Sequence, residues 1–283
     1  MRKEIFILPV LWLLGGAPLL ASDVVAVLSG ASGPYQEALA GLQGVLGPVP
    51  NATLPALPDL AGAKVVVTFG SEAALKSYPG SVALVAALLP DPSLQIDHGG
   101  SLTKVGLPPA AAVLVAKMKA LNPMASELAA LNPNGSYSAY LAQLKAAVAA
   151  AGMTLVVKKV SSLSDLGATL PGLKGEVQSL WVPPDPLFMN PQTFGILTAF
   201  CKGAGIGFFA PVAGLARAGS LAGVAPSFKQ VGATAAGAAK AYVAGGSPGA
   251  WVYPQRAETT VNTTVAAQLG LSDSVGKADS RVQ

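Results

Sequence analysis

The chain has 283 residues, enough for one large domain or two smaller ones with real cores. Hydrophobic residues make up 52% and charged residues 11%, which excludes a disordered chain. The net charge of +4 comes from scattered basic residues with no Lys/Arg cluster among aromatics, so nucleic acid is not expected as a partner. One cysteine, Cys201, excludes an intrachain disulfide and a cysteine metal site, and one histidine, His98, argues against a zinc site. No cofactor or metal is expected.

Arg2 and Lys3 precede an apolar run over 5–20, followed by Ala21, Ser22 and Asp23. This predicts a cleavable secretory signal peptide over 1–22 and a periplasmic mature protein; an uncleaved anchor is the alternative. No cysteine stands near Ala21 to carry a lipid.

From there the pattern alternates between short apolar runs and amphipathic stretches. VVAVL at 24–28 reads as a buried strand, followed by Ser29, Gly30, Ala31 and Ser32 and a helix through 46 that Pro34 opens. A Pro-rich stretch over 47–58 holds at most a short edge strand at 52–54. KVVVTF at 64–69 is the second clear strand, with Gly70 and Ser71 before a helix over 72–78; a third strand covers 82–88. The polar, Gly-rich stretch 95–103 reads as a loop. A helix is expected over 108–121.

The stretch 125–153 is the most informative. A strand ends at Leu131; Asn132, Pro133, Asn134 and Gly135 form a turn; Ser136 or Ser138 is placed to cap a helix whose apolar face runs through Tyr140, Leu141, Leu144 and Val148. Free backbone N–H groups and hydroxyls therefore gather beyond the carboxyl end of a strand, where α/β proteins bind ligands. An ordinary capped helix has the same pattern.

Strands follow at 153–160, 178–182, 207–210, 221–225 and 250–253, with helices over 164–170, 192–204, 228–244 and 262–269. The tail 273–283 is polar and expected to be disordered. Such alternation is the signature of parallel sheets covered by helices. There are too many strands for one sheet. The fold class expected is α/β, two doubly wound lobes joined by a hinge, with the loop at 95–103 between them. The boundaries expected are 23–106 plus 228–247 for lobe 1, and 107–227 plus 248–272 for lobe 2.

LNPNGSYSAYLAQLKAAVAAAGM (131–153), VPPDPLFMN (182–190), LARAGSLAGVAPSFKQVGATAAGAAKAYVAGGSPGAWVY (215–253), NTTVAAQLGL (262–271), TFGSEAA (68–74) and LPDP (89–92) together resemble the bacterial ABC-transporter substrate-binding proteins of the tryptophan/tyrosine-type family. The resemblance is strongest over 88–271. It implies a type I periplasmic-binding fold and a monomeric receptor that hands a small molecule to an ABC permease in the inner membrane. It also implies which strand-end residues face the cleft: Ser29, Ser32, Gly70, Ser71, Tyr137, Ser138 and Asp185. Each has a structural alternative as a cap, a turn residue or packing. The chain departs from the family in one respect. Amino-acid binders tend to carry an acid in the hinge after the late short strand, and here that segment reads VAPSFKQVG, with Ser227 and no acid. An ammonium in a dry cleft needs a partner charge, and Asp185 is the remaining candidate. An aromatic or weakly polar solute fits the composition. Phe69, Phe188, Phe208 and Phe209 are read as core first and cleft wall second.

Two other classes compete with this reading. An adaptor that keeps the fold with its cleft filled is motivated by the missing acid and the short first lobe. An enzyme has little support: there is no G-x-S-x-G elbow, no phosphate loop ending in Lys, and GAGIG at 203–207 precedes a strand instead of following one.

Overall fold

The computed structural model describes residues 23–283; the expected signal segment lies outside the described residues. Apolar runs of four or five residues, rich in Val, Ala and Leu, form strands buried on both faces, as parallel sheets require. Lobe 1 opens with β1 (Val24–Leu28), α1 (Gly33–Leu46), β2 (Asn51–Thr53), β3 (Val65–Phe69), α2 (Ser71–Ala74), β4 (Ala83–Ala87) and β5 (Leu102–Val105). The chain then passes to lobe 2 with α3 (Ala111–Leu121), β6 (Glu127–Pro133), α4 (Ser138–Ala150), β7 (Thr154–Val160), α5 (Leu163–Thr169), β8 (Ser179–Trp181), α6 (Pro186–Met189), α7 (Pro191–Ala204), β9 (Gly207–Ala210) and β10 (Ala222–Ala225). It returns to lobe 1 for α8 (Phe228–Val243) and β11 (Trp251–Val252). It ends in lobe 2 with β12 (Glu258–Asn262), α9 (Thr263–Gln268) and β13 (Ser280–Val282).

The first sheet has the order β11-β5-β4-β3-β1-β2 and every pairing is parallel. The second has the order β13-β12-β10-β9-β8-β6-β7, parallel except where β10 meets β12. The expected two-lobed α/β class is therefore what the chain adopts. The period of two is visible in the cores. Ala26, Leu28, Val65, Val67 and Phe69 pack toward α1 and α8, while Val27 and Val66 face the opposite layer with Tyr78 and Leu84. In lobe 2, Leu128 and Ala130 join one core with Trp181 and Phe209, while Ala129 and Leu131 join another with Phe188 and Phe208.

α8 is fixed to lobe 1 by a close helix crossing. Its Gly232 lies against the backbone of Ala38 in α1, and Gly41 of α1 lies against the backbone of Lys229. A Cβ at either position would overlap a backbone carbonyl, so the contact demands residues without one. The end of α8 is tied down by Thr103 in β5, whose Oγ1 lies 2.7 Å from the Tyr242 hydroxyl and donates to the Gly249 carbonyl at 2.6 Å.

Several expectations need correcting. The stretch 95–103 is not the separator between lobes: it runs into β5, which lengthens the first sheet, and the chain crosses at 106–110. Residues 251–252, expected in lobe 2, form β11 on the edge of the lobe 1 sheet. The tail 273–283 is ordered: a 3-10 turn over 272–277 leads into β13, paired with β12. Asp279 holds it, accepting from the Thr259 amide at 2.7 Å and from Lys117 Nζ at 2.9 Å. The strand at 258–262 was not expected. The helix expected over 72–78 is the single turn of α2. Among the described residues no helix is long and apolar enough to cross a membrane.

Two outcomes check this packing. Gly232→Ala should lower the unfolding free energy by about 1–3 kcal/mol through overpacking. Gly237→Ala, on the exposed face of the same helix with open space at its Cβ, should raise it by about 0.5–1 kcal/mol. Urea unfolding of both variants separates a tight crossing from simple helix propensity. Separately, Asp279 has its pKa lowered, by the Lys117 hydrogen bond foremost. Its stabilising contribution is then full above the ordinary carboxylate range and is lost as pH falls through the depressed value. Hydrogen exchange of the 280–282 amides should show protection at neutral pH that fades on acidification, and should fade at all pH values in Asp279→Ala.

Candidate functional site

Three crossovers join the lobes: 106–110, 226–227 and 253–257. They bring together the loops that follow β4 and β5 in lobe 1 and β6 in lobe 2. A cavity of ≈ 110 Å³ lies there. Lobe 1 supplies Leu89, Pro92 and Trp251. The crossovers supply Gly106, Leu107, Pro108 and Tyr253, and the tip of α4 supplies Ser136, Tyr137, Ala139 and Tyr140.

The α4 tip is built by the Asn-Pro-Asn-Gly turn. Asn134 and Gly135 both take positive φ (49° and 83°), which reverses the chain after β6. The expected serine cap is not formed. Asn132 Oδ1 instead accepts the Tyr137 amide at 3.1 Å, and Ser138 Oγ donates to the Gly135 carbonyl at 2.6 Å. Tyr137 is consequently locked with its ring on the cavity wall, 4% exposed, its hydroxyl donating to the Pro184 carbonyl at 2.9 Å. Leu88, held at φ 56°, turns the chain after β4 so that Leu89 reaches the cavity. A γ-branched side chain in the left-handed region costs about 1–2 kcal/mol, strain of the kind that collects at ligand sites.

An aromatic row crosses from one lobe to the other. Trp251 stacks on Tyr253 (6.0 Å between centroids, 9° between planes), Tyr253 meets Tyr140 at 5.1 Å, and Tyr140 meets Trp181 at 5.5 Å. The Tyr140 hydroxyl donates to the Pro109 carbonyl at 2.8 Å, pinning α4 to the first crossover. Burial pushes the Tyr253 hydroxyl up to about 12 and raises those of Tyr137 and Tyr140 further. All three stay neutral donors at physiological pH.

Two carboxylates, one from each lobe, stand close enough to act on Tyr137. Asp185 caps α6, accepting the Leu187 amide at 2.9 Å. Asp91, beside the cavity-lining Pro92, accepts from the Ser93 amide and hydroxyl at 2.8 and 2.6 Å. Burial raises the Asp185 pKa, the Leu187 amide opposes this, and the Asp91 charge adds to it. The Tyr137 hydroxyl feels both carboxylates. Lys104 Nζ holds the 91–95 loop by donating to the Leu94 and Pro92 carbonyls at 2.6 and 3.3 Å, and lies 5.4 Å from the centre of the Trp251 ring. Burial lowers its pKa and Asp91 opposes that shift.

Of the seven residues singled out from the sequence, Tyr137 is on the cavity wall. Asp185 lies behind it, next to the carbonyl that Tyr137 holds. Ser29, Gly70 and Ser71 form a separate group at the ends of β1 and β3. Ser29 Oγ accepts the Ala73 amide at 2.9 Å, and Gly70, at φ 99°, leaves room for that hydroxyl and the Tyr35 ring. Ser32 is exposed at the start of α1 and makes no side-chain cap, and Ser138 is exposed. Phe69, Phe188, Phe208 and Phe209 are fully buried in the cores. Trp251, Tyr253 and Tyr140 were missed. Their signal is aromatic density, which appears only once the third crossover is known to pass beside α4. A shallow groove of ≈ 480 Å³ between α8 and 248–256 is larger but takes no residue from the α4 tip. Among the described residues no group of three or more His, Cys, Asp or Glu is placed to hold a metal.

No family model matches the chain, and no curated protein matches it significantly. Solved structures do. A structure from Streptococcus pneumonia described as an ABC domain in complex with L-Trp is 19% identical, with 92% of this chain and 99% of that one covered and a TM-score of 0.56. A ligand-free, open substrate-binding protein with adhesive properties from Clostridium difficile is 14% identical, with 92% and 98% covered and a TM-score of 0.60. A conserved domain protein from Vibrio cholerae is 16% identical at the same coverage of this chain and 99% of its own, with a TM-score of 0.55. At these identities the likeness establishes the fold, which is that of the type I periplasmic binding proteins.

Tyr137→Phe removes one partly buried hydrogen bond. It should cost about 0.5–1.5 kcal/mol of stability and leave the fold intact, as read by denaturant unfolding and far-ultraviolet dichroism.

Proposed function

We propose that the protein is a solute-binding receptor that captures a small molecule between its lobes and delivers it to an ABC permease. In this reading it is exported by its N-terminal segment, works as a monomer in the periplasm, and performs no catalysis. The observation that carries the reading is the cavity at the crossovers, walled by both lobes and by the aromatic row. Its wall offers rings, prolines and one serine, with no nucleophile paired to a base. Fold likeness to a substrate-binding protein and to a domain holding L-Trp supports it by analogy. A guest touching Tyr137 on one lobe and Trp251 on the other bridges the two and favours the closed form over the open one.

One observation favours a second reading, an adaptor with a filled cleft. The cavity, at ≈ 110 Å³, is smaller than the roughly 300–1,000 Å³ usual for ligand pockets. A receptor with this cavity must open to admit its guest, whereas an adaptor has no need to.

Thermal melting against aromatic amino acids, nucleosides and small apolar solutes tests the receptor. A ligand of the closed form adds about 2.7 kcal/mol at a hundredfold excess over its Kd, a shift of several degrees that grows with concentration. Small-angle scattering on the same samples should show the radius of gyration falling on binding. A flat melt across a broad panel, with an unchanging radius, favours the adaptor.

A further inference from the structure

We propose that the guest of the inter-lobe cavity is a small organic cation, an alkylated ammonium without a carboxylate, gripped by the aromatic row and neutralised by Asp91 and Asp185. The proposal rests on the receptor reading and names its ligand class.

Charge is the first argument. Exposed Asp91 of lobe 1 precedes Pro92 on the cavity wall, and half-buried Asp185 of lobe 2 follows Pro184, whose carbonyl accepts from the Tyr137 hydroxyl, so both carboxylates stand beside the cavity without lining it. Among the described residues neither has a salt-bridge partner, the ion pairs there being Lys64–Asp23 and Lys117–Asp279. Asp91 acts on the Lys104 ammonium, and the charge that acts on Asp185 is that of Asp91. Two carboxylates and one ammonium beside the cavity sum to one negative charge. A monocation brings the balance to zero.

The second argument is the wall. A soft cation is held by aromatic faces, and the cavity is lined by Tyr137, Tyr140, Trp251 and Tyr253. One ring of the set already carries an ammonium, since Lys104 Nζ sits over Trp251. The small volume suits a compact head group rather than an indole with its backbone. A ligand carboxylate, by contrast, would have no cation to meet. The Lys104 protons go to the Leu94 and Pro92 carbonyls, and its charge is shared with Asp91.

The same charges give closure a sense. Asp91 and Asp185 belong to different lobes, and with the cleft empty their like charges repel. A cation between them removes that opposition, so the guest that fits is also the guest that shuts the cleft.

The test is melting and calorimetry of the full chain with choline, tetramethylammonium, and 3,3-dimethyl-1-butanol, the uncharged isostere of choline, beside L-tryptophan and a nucleoside. The expected result is a concentration-dependent rise with both cations and none with the isostere. Asp185→Asn and Asp91→Asn keep the side-chain oxygens that accept from Leu187 and Ser93. Each should weaken choline about tenfold or more while melting, unliganded, near the parent. Equal shifts with choline and its isostere, or choline binding untouched in both variants, would overturn the proposal. A shift with L-tryptophan or the nucleoside and none with either cation overturns it too, while leaving the receptor reading intact. No shift with any compound counts against both.

Discussion

The structure depends on one topological constraint: the chain crosses between its two sheets three times. A parallel strand cannot turn back on itself and must run out through a helix, so every strand in such a sheet delivers its loop at the same end. When α8 returns to lobe 1 and locks there by the Gly232 and Gly41 contacts with α1, the strand-end loops of both lobes are committed to one gap. The Asn-Pro-Asn-Gly turn then aims the tip of α4 at it, and β11 brings Trp251 and Tyr253 to meet that tip. The aromatic row follows from this arrangement.

That gap is both tight and charged. Of the four hydroxyls on its wall, those of Tyr137 and Tyr140 are committed, to the Pro184 and Pro109 carbonyls. The Tyr137 and Tyr140 rings are therefore positioned by hydrogen bonds at their rims, with Asp185 behind Tyr137. Such a wall favours a guest that binds through dispersion and charge over one that needs many directed hydrogen bonds. The strained Leu88 and the Lys104 clamp on the 91–95 loop hold the lobe 1 side of the wall in place without help from regular secondary structure.

The sequence carried the frame well and the site poorly, for physical reasons. The stretch 125–153 was legible because turn formers separate an apolar run from a 3.6-period pattern, and the structure places β6, the turn and α4 there. β5 was hidden because LTKV sets two polar residues side by side, breaking the apolar alternation, with Thr103 and Lys104 spent on tertiary hydrogen bonds rather than apolar burial. ETTVN in β12 and SRV in β13 read as polar because they are a short antiparallel strand and its edge partner. Tyr137 was found by its place after a strand. Trp251 and Tyr253 were not, because AWVY looks like the last strand of lobe 2, and only the pairing of β11 with β5 puts it at the crossover. The loops at Ser29, Ser32 and Ser71 were chosen by position alone, and position does not say which strand ends the third crossover will approach.

The most direct test of the central claim, that the gap beside Tyr137, Tyr253 and Trp251 is where a small molecule sits, is a tryptophan-emission titration with any compound that raises the melting temperature. Trp251 lines the gap, whereas Trp181 is buried in the lobe 2 core. The account predicts an emission change that saturates at the Kd found by melting and is lost in Trp251→Phe. Binding that stabilises the chain yet leaves Trp251 emission unmoved would place the ligand elsewhere and contradict the account.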